Sequence, residues 1–368
     1  MIIFLHAGAE WYGADKILYQ TVIALKEEFR CHIILPCHGL LEEKLKQLGV
    51  EVDVIAYPIL RRKYLSINGA ISYLRSFFSS FGGLYRIAKN SSVFAIHTNT
   101  LAVTQGYLLK ILTGKYHLVH IHEIIVSPRL LYCFLRALVF LFSDKGVAVS
   151  EAVRLHMNLR KVVRIYNGIP SIGIPRAAFH AREVTVGMVG RFNGWKGQMD
   201  FLRAMEKLDK SLFLENDISM ILCGGVFEND TQFYEKFMLA LSTSPIKECV
   251  TVLPFTENIY SVYNKLDILV LPSTLPDPFP TVVLEAMSMG LAITGYAHGG
   301  ILEMVKTSEI LAAPNDVDSL SRKIARLIND KTLLREEKSN SLIRFCDFSV
   351  EAFSVEIRKC YNNGLVRN

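Results

Sequence analysis

What most limits this chain is a repeated alternation: a short apolar run rich in Ile, Val and Leu, then a helix-length stretch, then another short run. Ile2 to Leu5, His32 to Pro36, Glu51 to Ile55, Val93 to His97, His117 to Ile121 and Lys145 to Val149 read as strands. Between them lie segments such as Asp15 to Phe29, in which Ile17, Leu18, Val22 and Leu25 share one helical face. Such alternation implies a parallel sheet with helices on both faces. The pattern then restarts. Val184 to Val189, Ile218 to Cys223, Val250 to Leu253, Ile268 to Leu271 and Leu291 to Thr294 read as strands of a second sheet, with helices such as Ser319 to Ile328 between them.

Tyr166 to Pro175, holding Asn167, Gly168, Pro170, Gly173 and Pro175, is the joint between the two sets. At 368 residues the chain exceeds what one core usually serves. The expected fold class is therefore α/β, with two Rossmann-like doubly wound domains facing each other across a cleft. The expected boundaries are 1–166 for the first domain, 167–175 for the linker, 176–346 for the second domain and 347–368 for a tail, with Phe345 to Tyr361 helical and aromatic-rich. Ligands of such sheets bind beyond the carboxyl ends of the strands, so the candidate residues are those at the strand ends.

Composition narrows the class further. An apolar fraction of 51% with 21% charged residues supports compact globular halves and argues against disorder. The seven cysteines form no C-x-x-C pair or metal-ligand spacing and read as buried thiols in a reducing compartment. Met1 to Leu5 has no basic region before it and no cleavage site after it, so it reads as a first strand rather than a signal peptide. The longest nearly apolar run, Leu130 to Phe142, is interrupted by Arg136 and falls short of the roughly 20 residues a spanning helix needs. A cytoplasmic protein without a spanning segment is expected. The net charge of +6 is uneven: between Asp53 and Glu123 no acidic residue occurs, yet Arg61, Arg62, Lys63, Arg75, Arg86, Lys89, Lys110 and Lys115 do.

The strongest constellation is Pro272 to Gly290, PSTLPDPFPTVVLEAMSMG, after the strand at Ile268 to Leu271. Pro278 and Pro280 stiffen the loop, and Thr281 is expected to cap a helix whose next residues, Val282 and Val283, offer unpaired backbone N–H groups. A helix start at a ligand site attracts phosphate. Glu285 lies four residues after Thr281 and on the same face, where a carboxylate can accept both hydroxyls of a ribose. The plainer alternative is an ordinary helix with a capping Thr and a solvated Glu. The second constellation is Gly190-Arg-Phe-Asn-Gly-Trp-Lys-Gly197, in which the fork of Arg191 and the point charge of Lys196 suit a diphosphate leaving group. Alone, two cations in a Gly-rich turn also describe a solvated loop.

Two weaker features complete the set. His6 to Asp15 contains Gly8 and Gly13 before a helix but lacks dinucleotide-fingerprint spacing; Gly13 would let backbone approach a ligand. In His120-Ile-His122-Glu123 alternation puts both histidines on one side of a strand end, one structural and the other facing a ligand. No metal site is expected from the pair, which has no further ligand cluster beside it. Asp316 and Asp318 read as acidic residues at a helix start rather than metal ligands. Thr113-Gly-Lys115 lacks the upstream glycine of a P-loop and has Tyr116 where Ser or Thr belongs.

Taken together these segments resemble retaining glycosyltransferases of family 4, the group 1 enzymes of the GT-B fold. The most specific part is Asp277-Pro-Phe-Pro-Thr-Val-Val-Leu-Glu285, similar to the family's pair of glutamates separated by seven residues, with Asp277 in place of the first. The resemblance implies Glu285 on the donor ribose, Asp277 and the backbone around Phe279, Thr281 and Val282 on the donor sugar and phosphates, and Arg191 with Lys196 on the diphosphate. It implies Gly13 in a loop closing on the donor phosphate, and His122 beside the transferred sugar. His298-Gly-Gly-Ile-Leu-Glu303 resembles a turn and helix near the donor, and the terminal helix is expected to return to the first domain. The implied donor is a nucleotide sugar, UDP-linked in preference to GDP-linked, used without metal or cofactor.

Many such transferases build bacterial surface polysaccharides on polyprenyl diphosphate carriers, which implies a lipid-linked saccharide acceptor. Tyr64 to Lys89 fits, mixing apolar residues with Arg75, Arg86 and Lys89 in an amphipathic pattern able to lie on an anionic membrane at its inner face. A core-packed helix pair broken at Gly82 and Gly83 is the alternative. Also open are an epimerase or phosphorylase of the same architecture and a non-catalytic sugar-nucleotide-binding subunit. Nucleic acid is not an expected partner, since no recognition motif accompanies the basic half.

Overall fold

The computed structural model describes residues 1–61, 64, 66–173, 183–227, 230–305 and 307–365. Arg62 and Lys63 of the basic run, residues 174 and 175 of the joint, and 176–182 of the second domain lie outside them. The chain divides into a first unit, Met1–Ile169 with Ser349–Asn368, and a second, Pro170–Phe348.

The first unit holds a seven-stranded sheet of β1 (Ile2–Leu5), β2 (Cys31–Leu35), β3 (Glu51–Val54), β4 (Ala95–Asn99), β5 (Tyr116–Ile121), β6 (Lys145–Ala148) and β7 (Val162–Arg164). Their order is β3-β2-β1-β4-β5-β6-β7, and every pair is parallel. All four residues of β1 are buried, which is why a strand covered on both faces reads as an unbroken apolar run. β7 was not expected from the sequence: three residues, one of them exposed, are too few to show a pattern.

The second unit holds β8 (Glu183–Val189), β9 (Asp217–Cys223), β10 (Val250–Leu253), β11 (Ile268–Leu271), β12 (Ala292–Tyr296) and β13 (Leu311–Ala312) in the order β10-β9-β8-β11-β12-β13, again all parallel. The expectation of two parallel α/β units holds. In each sheet the order reverses beside the first strand, at β1/β4 and at β8/β11, and these reversals are where open parallel sheets leave a crevice. Gly190–Gly197 follows β8, and Pro272–Pro280 follows β11.

Several local expectations are corrected. The segment around Gly82 and Gly83 is one helix, Ile67–Ala88, not a broken pair. A Cβ at Gly82 would meet nothing within 4 Å, so neither close packing nor a turn calls for glycine there. Burial of Phe77, Leu84 and Ala88 carries the helix through the roughly 1 kcal/mol each glycine costs. The terminal helix starts at Val350 rather than Phe345: Lys331–Phe345 is a separate helix, ended by a short 3-10 turn at Cys346–Phe348. Val350–Leu365 packs within the first unit, where Arg358 donates from Nε to the Ala24 carbonyl at 2.6 Å. Only Cys31, Cys223 and Cys360 are buried; Cys37, Cys133 and Cys346 are exposed, so the cysteines are not uniformly core residues.

Candidate functional site

In the second unit the two loops at the β8/β11 reversal are locked together by backbone. Gly197 has φ 87°, and a Cβ there would lie 1.9 Å from the Pro272 carbonyl oxygen, so only glycine lets the loops meet. Thr274 N–H donates to the Trp195 carbonyl at 2.7 Å. Buried Asn193 shapes the turn, its Oδ1 accepting from the N–H groups of Trp195 at 3.1 Å and Lys196 at 2.9 Å. These bonds aim Lys196 at the β11 loop, where its Nζ sits 2.6 Å from Asp277 Oδ2 and 4.3 Å from the centre of the Trp195 ring. Arg191 stacks on Phe227 at 4.5 Å and lies 3.6 Å from Asp230 Oδ2.

The helix after this loop runs Thr281–Ser288, and its cap is Pro280, with no side-chain capping bond. Thr281 is thus the first helical residue and not the cap. Val283 N–H turns back to Pro280, leaving the N–H groups of Thr281 and Val282 at the positive end of the helix. Glu285 is not a solvated residue: it is 2% exposed, and its Oε2 accepts from the Tyr263 hydroxyl at 3.0 Å. Tyr263 also donates to the Val282 carbonyl at 3.1 Å, and burial followed by the Glu285 charge pushes its phenol well above its usual range. Phe279 is buried against Phe348, so its ring anchors the loop while its backbone carries any ligand contact. Gly300 N–H donates to the Asp277 carbonyl at 2.8 Å, which seats the 298–300 turn on the Asp277 loop.

The first unit builds a different site at the ends of β1, β4 and β5. His120 and His122 do project to one side, their rings 4.3 Å apart. His120 is fully buried, whereas His122 is partly exposed and bonds from Nε2 to Asn99 Oδ1 at 3.1 Å. The other end of the Asn99 amide meets His6 Nδ1 at 2.9 Å, and His6 Nε2 meets Asp15 Oδ1 at 2.7 Å. Burial, then His120 and His6, hold His122 well below the usual imidazole range. Burial pushes the Glu123 carboxyl up to about 7, although it accepts from the Leu101 and His122 N–H groups. Gly13 opens the helix Gly13–Leu25, capped by Tyr12.

The structure therefore gathers Arg191, Lys196, Asp277, Phe279, Thr281, Val282 and Glu285 in the second unit, and Gly13 and His122 in the first. Sequence reading missed Asn193 and Tyr263, which support the former, and His6, Asp15 and Asn99, which support the latter. Asn99 ends β4, so a search of strand ends finds it once β4 is placed at Ala95–Asn99 instead of Val93–His97. Asp316 caps the helix Val317–Asn329 by accepting from Ser319 N–H at 2.8 Å, and Asp318 pairs with Lys207. Among the described residues no group of three His, Cys, Asp or Glu could hold a metal ion, and no helix is long and apolar enough to cross a membrane.

Two parallel doubly wound sheets with a ligand-ready reversal in each define the GT-B class of fold. The structure superposes with TM-score 0.83 on Anabaena HepE solved with UDP and glucose, at 19% identity over 98% of this chain and 99% of that one. It superposes with TM-score 0.82 on sucrose-phosphate synthase of Thermosynechococcus elongatus, at 17% identity over 100% and 99%. Residues 175–344 match the family described as glycosyl transferases group 1. The chain is 28% identical over 180 residues to the lipopolysaccharide 1,2-N-acetylglucosaminetransferase of Salmonella typhimurium, a match spanning 46% of each chain and so about half of that relative's length. The family match lies within the second unit.

Proposed function

We propose that the chain moves a sugar from a nucleoside diphosphate donor, UDP-linked by preference, to a hydroxyl of a lipid-linked saccharide, with retention and without a divalent metal. The carrying observation is the convergence of Arg191, Lys196 and an open helix start at Thr281 and Val282 on the β8/β11 reversal. Two cations and two N–H groups match the charge that grows on a departing diphosphate, the work a metal does elsewhere. Lys196 is held by Asp277, so the diphosphate competes for it and frees the Asp277 carboxylate for sugar hydroxyls. Glu285, already oriented by Tyr263, accepts from the ribose. His122, neutral and at a strand end, accepts from a hydroxyl of the sugar. With retention the acceptor hydroxyl attacks the face that the diphosphate leaves and a phosphate oxygen takes its proton, so no protein nucleophile is required.

Thermal shift against a panel of UDP- and GDP-sugars in EDTA, followed by transfer assays with the stabilising donor, tests this reading. Stabilisation by UDP-sugars without metal supports it; a strict divalent requirement for chemistry, or no stabilisation by any donor, contradicts it.

The acceptor side of the proposal rests on the helix Ile67–Ala88. Ile67, Ile71, Leu74 and Phe78 form one stripe on it, and all are exposed, Ile67 by 82% and Phe78 by 65%. Ile111 and Leu112 on the helix packed beside it, and Leu130 and Phe134 on the next, are exposed as well. A sheet-covering helix normally turns one apolar stripe inward; this one carries a second outward, flanked by Arg75 and Arg86, which suits an anionic bilayer surface. Co-sedimentation with anionic vesicles should fall when Leu74 and Phe78 become Ser. Equal sedimentation of both proteins contradicts the membrane role.

A further inference from the structure

The ends of β1, β4 and β5 lie side by side in the sheet, and each delivers one polar residue to the same row: His6 after β1, Asn99 at the end of β4, His122 after β5. We propose that Asn99, oriented by His6 and through it by Asp15, is a positioning residue that fixes His122 as the Nε2–H tautomer and leaves Nδ1 to accept a hydrogen bond from a sugar hydroxyl. This rests on the proposed role of His122 beside the transferred sugar.

The argument is one of hydrogen-bond polarity. A carboxylate only accepts. Asp15 Oδ2 accepts from Tyr12 N–H at 2.8 Å, and Oδ1 lies 2.7 Å from His6 Nε2, so His6 carries its proton on Nε2. The amide nitrogen of Asn99 lies 2.9 Å from His6 Nδ1 and can only donate, so Nδ1 is the bare, accepting nitrogen. The amide oxygen consequently faces His122 Nε2 at 3.1 Å, which must be the protonated nitrogen. Turning the amide over would set lone pair against lone pair at the His6 end, where Asp15 has already fixed the proton on Nε2. His6, Asp15 and Asn99 are all buried, so water is poorly placed to repair such a mismatch. The tautomer of His122 is thereby set by a carboxylate two residues removed, as outer partners orient histidines elsewhere. The low basicity of His122 keeps it neutral at the pH where this matters.

Long-range proton–nitrogen correlation spectra of the full-length ¹⁵N-labelled protein at a pH of about 8 read the tautomer directly, with His122→Gln assigning the signals. The expected result is His122 protonated at Nε2. In Asp15→Asn the new amide must offer its oxygen to Tyr12 N–H and its nitrogen to His6, which inverts the row. His122 should then shift toward the Nδ1–H form, and kcat should fall by about threefold to 10-fold, with donor KM within about twofold of wild type. A wild-type His122 protonated at Nδ1 overturns the proposal while leaving His122 free to act at the sugar, and needs no variant to fold. Unchanged kcat in Asp15→Asn with an altered tautomer overturns the positioning role. Unchanged kcat in His122→Gln overturns that role together with the reading of His122 on which it rests.

Discussion

At the β8/β11 reversal the second unit gathers Arg191, Lys196, Asp277 and Glu285; at the ends of β1, β4 and β5 the first unit gathers His6, Asn99, His122 and Glu123. The positions in the two sheets are alike, and the electrostatics are opposite. The second unit keeps its cations partly exposed and in ion pairs, Lys196 with Asp277 and Arg191 with Asp230. In the first unit burial drives groups toward neutrality: His97 is pushed down to about 3, His117 to about 4, and Glu123 up to about 7. On the proposed function the first arrangement suits a multiply charged anion and the second suits hydroxyls held by neutral hydrogen bonds, where a fixed charge would be costly.

The largest effect should come from the charged side. Lys196→Ala and Arg191→Ala should each lose on the order of a hundredfold in turnover, about 3 kcal/mol of transition-state stabilisation if each resembles loss of an oxyanion donor. Steady-state kinetics check this, and full activity in both variants would remove the contrast between the units. The neutral side should show itself in stability against pH. A carboxyl whose folded value is raised binds a proton in the native state that the unfolded chain releases, so the Glu123 contribution is full below the ordinary value of 4.5 and is lost as pH rises through about 7. Urea unfolding should find wild type losing up to about 3 kcal/mol relative to Glu123→Gln across that window. His97 and His117 act in the other sense, their contributions being present above 6.5 and lost as pH falls, toward about 3 for His97 and about 4 for His117. A flat difference between wild type and Glu123→Gln would mean that Glu123 is ionised and solvated.

Smaller effects sharpen the comparison. His122→Ala should cost about tenfold in kcat, or 1.4 kcal/mol, with little change in melting temperature. A variant that melts several degrees lower yet turns over normally would make this histidine structural. Least of all, Thr281→Ala should change stability by less than about 0.5 kcal/mol, because Thr281 is not a cap, whereas Asp316→Ala should cost about 1 kcal/mol. Equal losses at the two positions would restore Thr281 as a cap.

The sequence made the sheets legible for a physical reason: strands such as β1 and β11 are buried on both faces and so appear as apolar runs between helix-length segments. It hid β7 and β13, whose three and two residues cannot form a pattern. The charged side of the site was legible because Arg191, Lys196 and the Asp277-to-Glu285 segment each sit in one loop or at one helix start. The pairing of Lys196 with Asp277 was not, since 81 positions separate them and only the β8/β11 adjacency joins them. The neutral side was nearly invisible for the same reason, because His6, Asn99 and His122 become a row only when three strand ends are set side by side. Thr281 was misread since Pro280, with φ −68° and ψ 114°, takes the cap position without any side-chain oxygen to advertise it.

The division of labour between the units is tested most directly by calorimetric titration of UDP in EDTA into wild type, His122→Ala and Lys196→Ala. The account predicts that wild type and His122→Ala bind UDP alike without metal, and that Lys196→Ala binds at least about tenfold more weakly, a difference of about 1.4 kcal/mol. Equal affinity in Lys196→Ala, or loss of binding in His122→Ala, would contradict it.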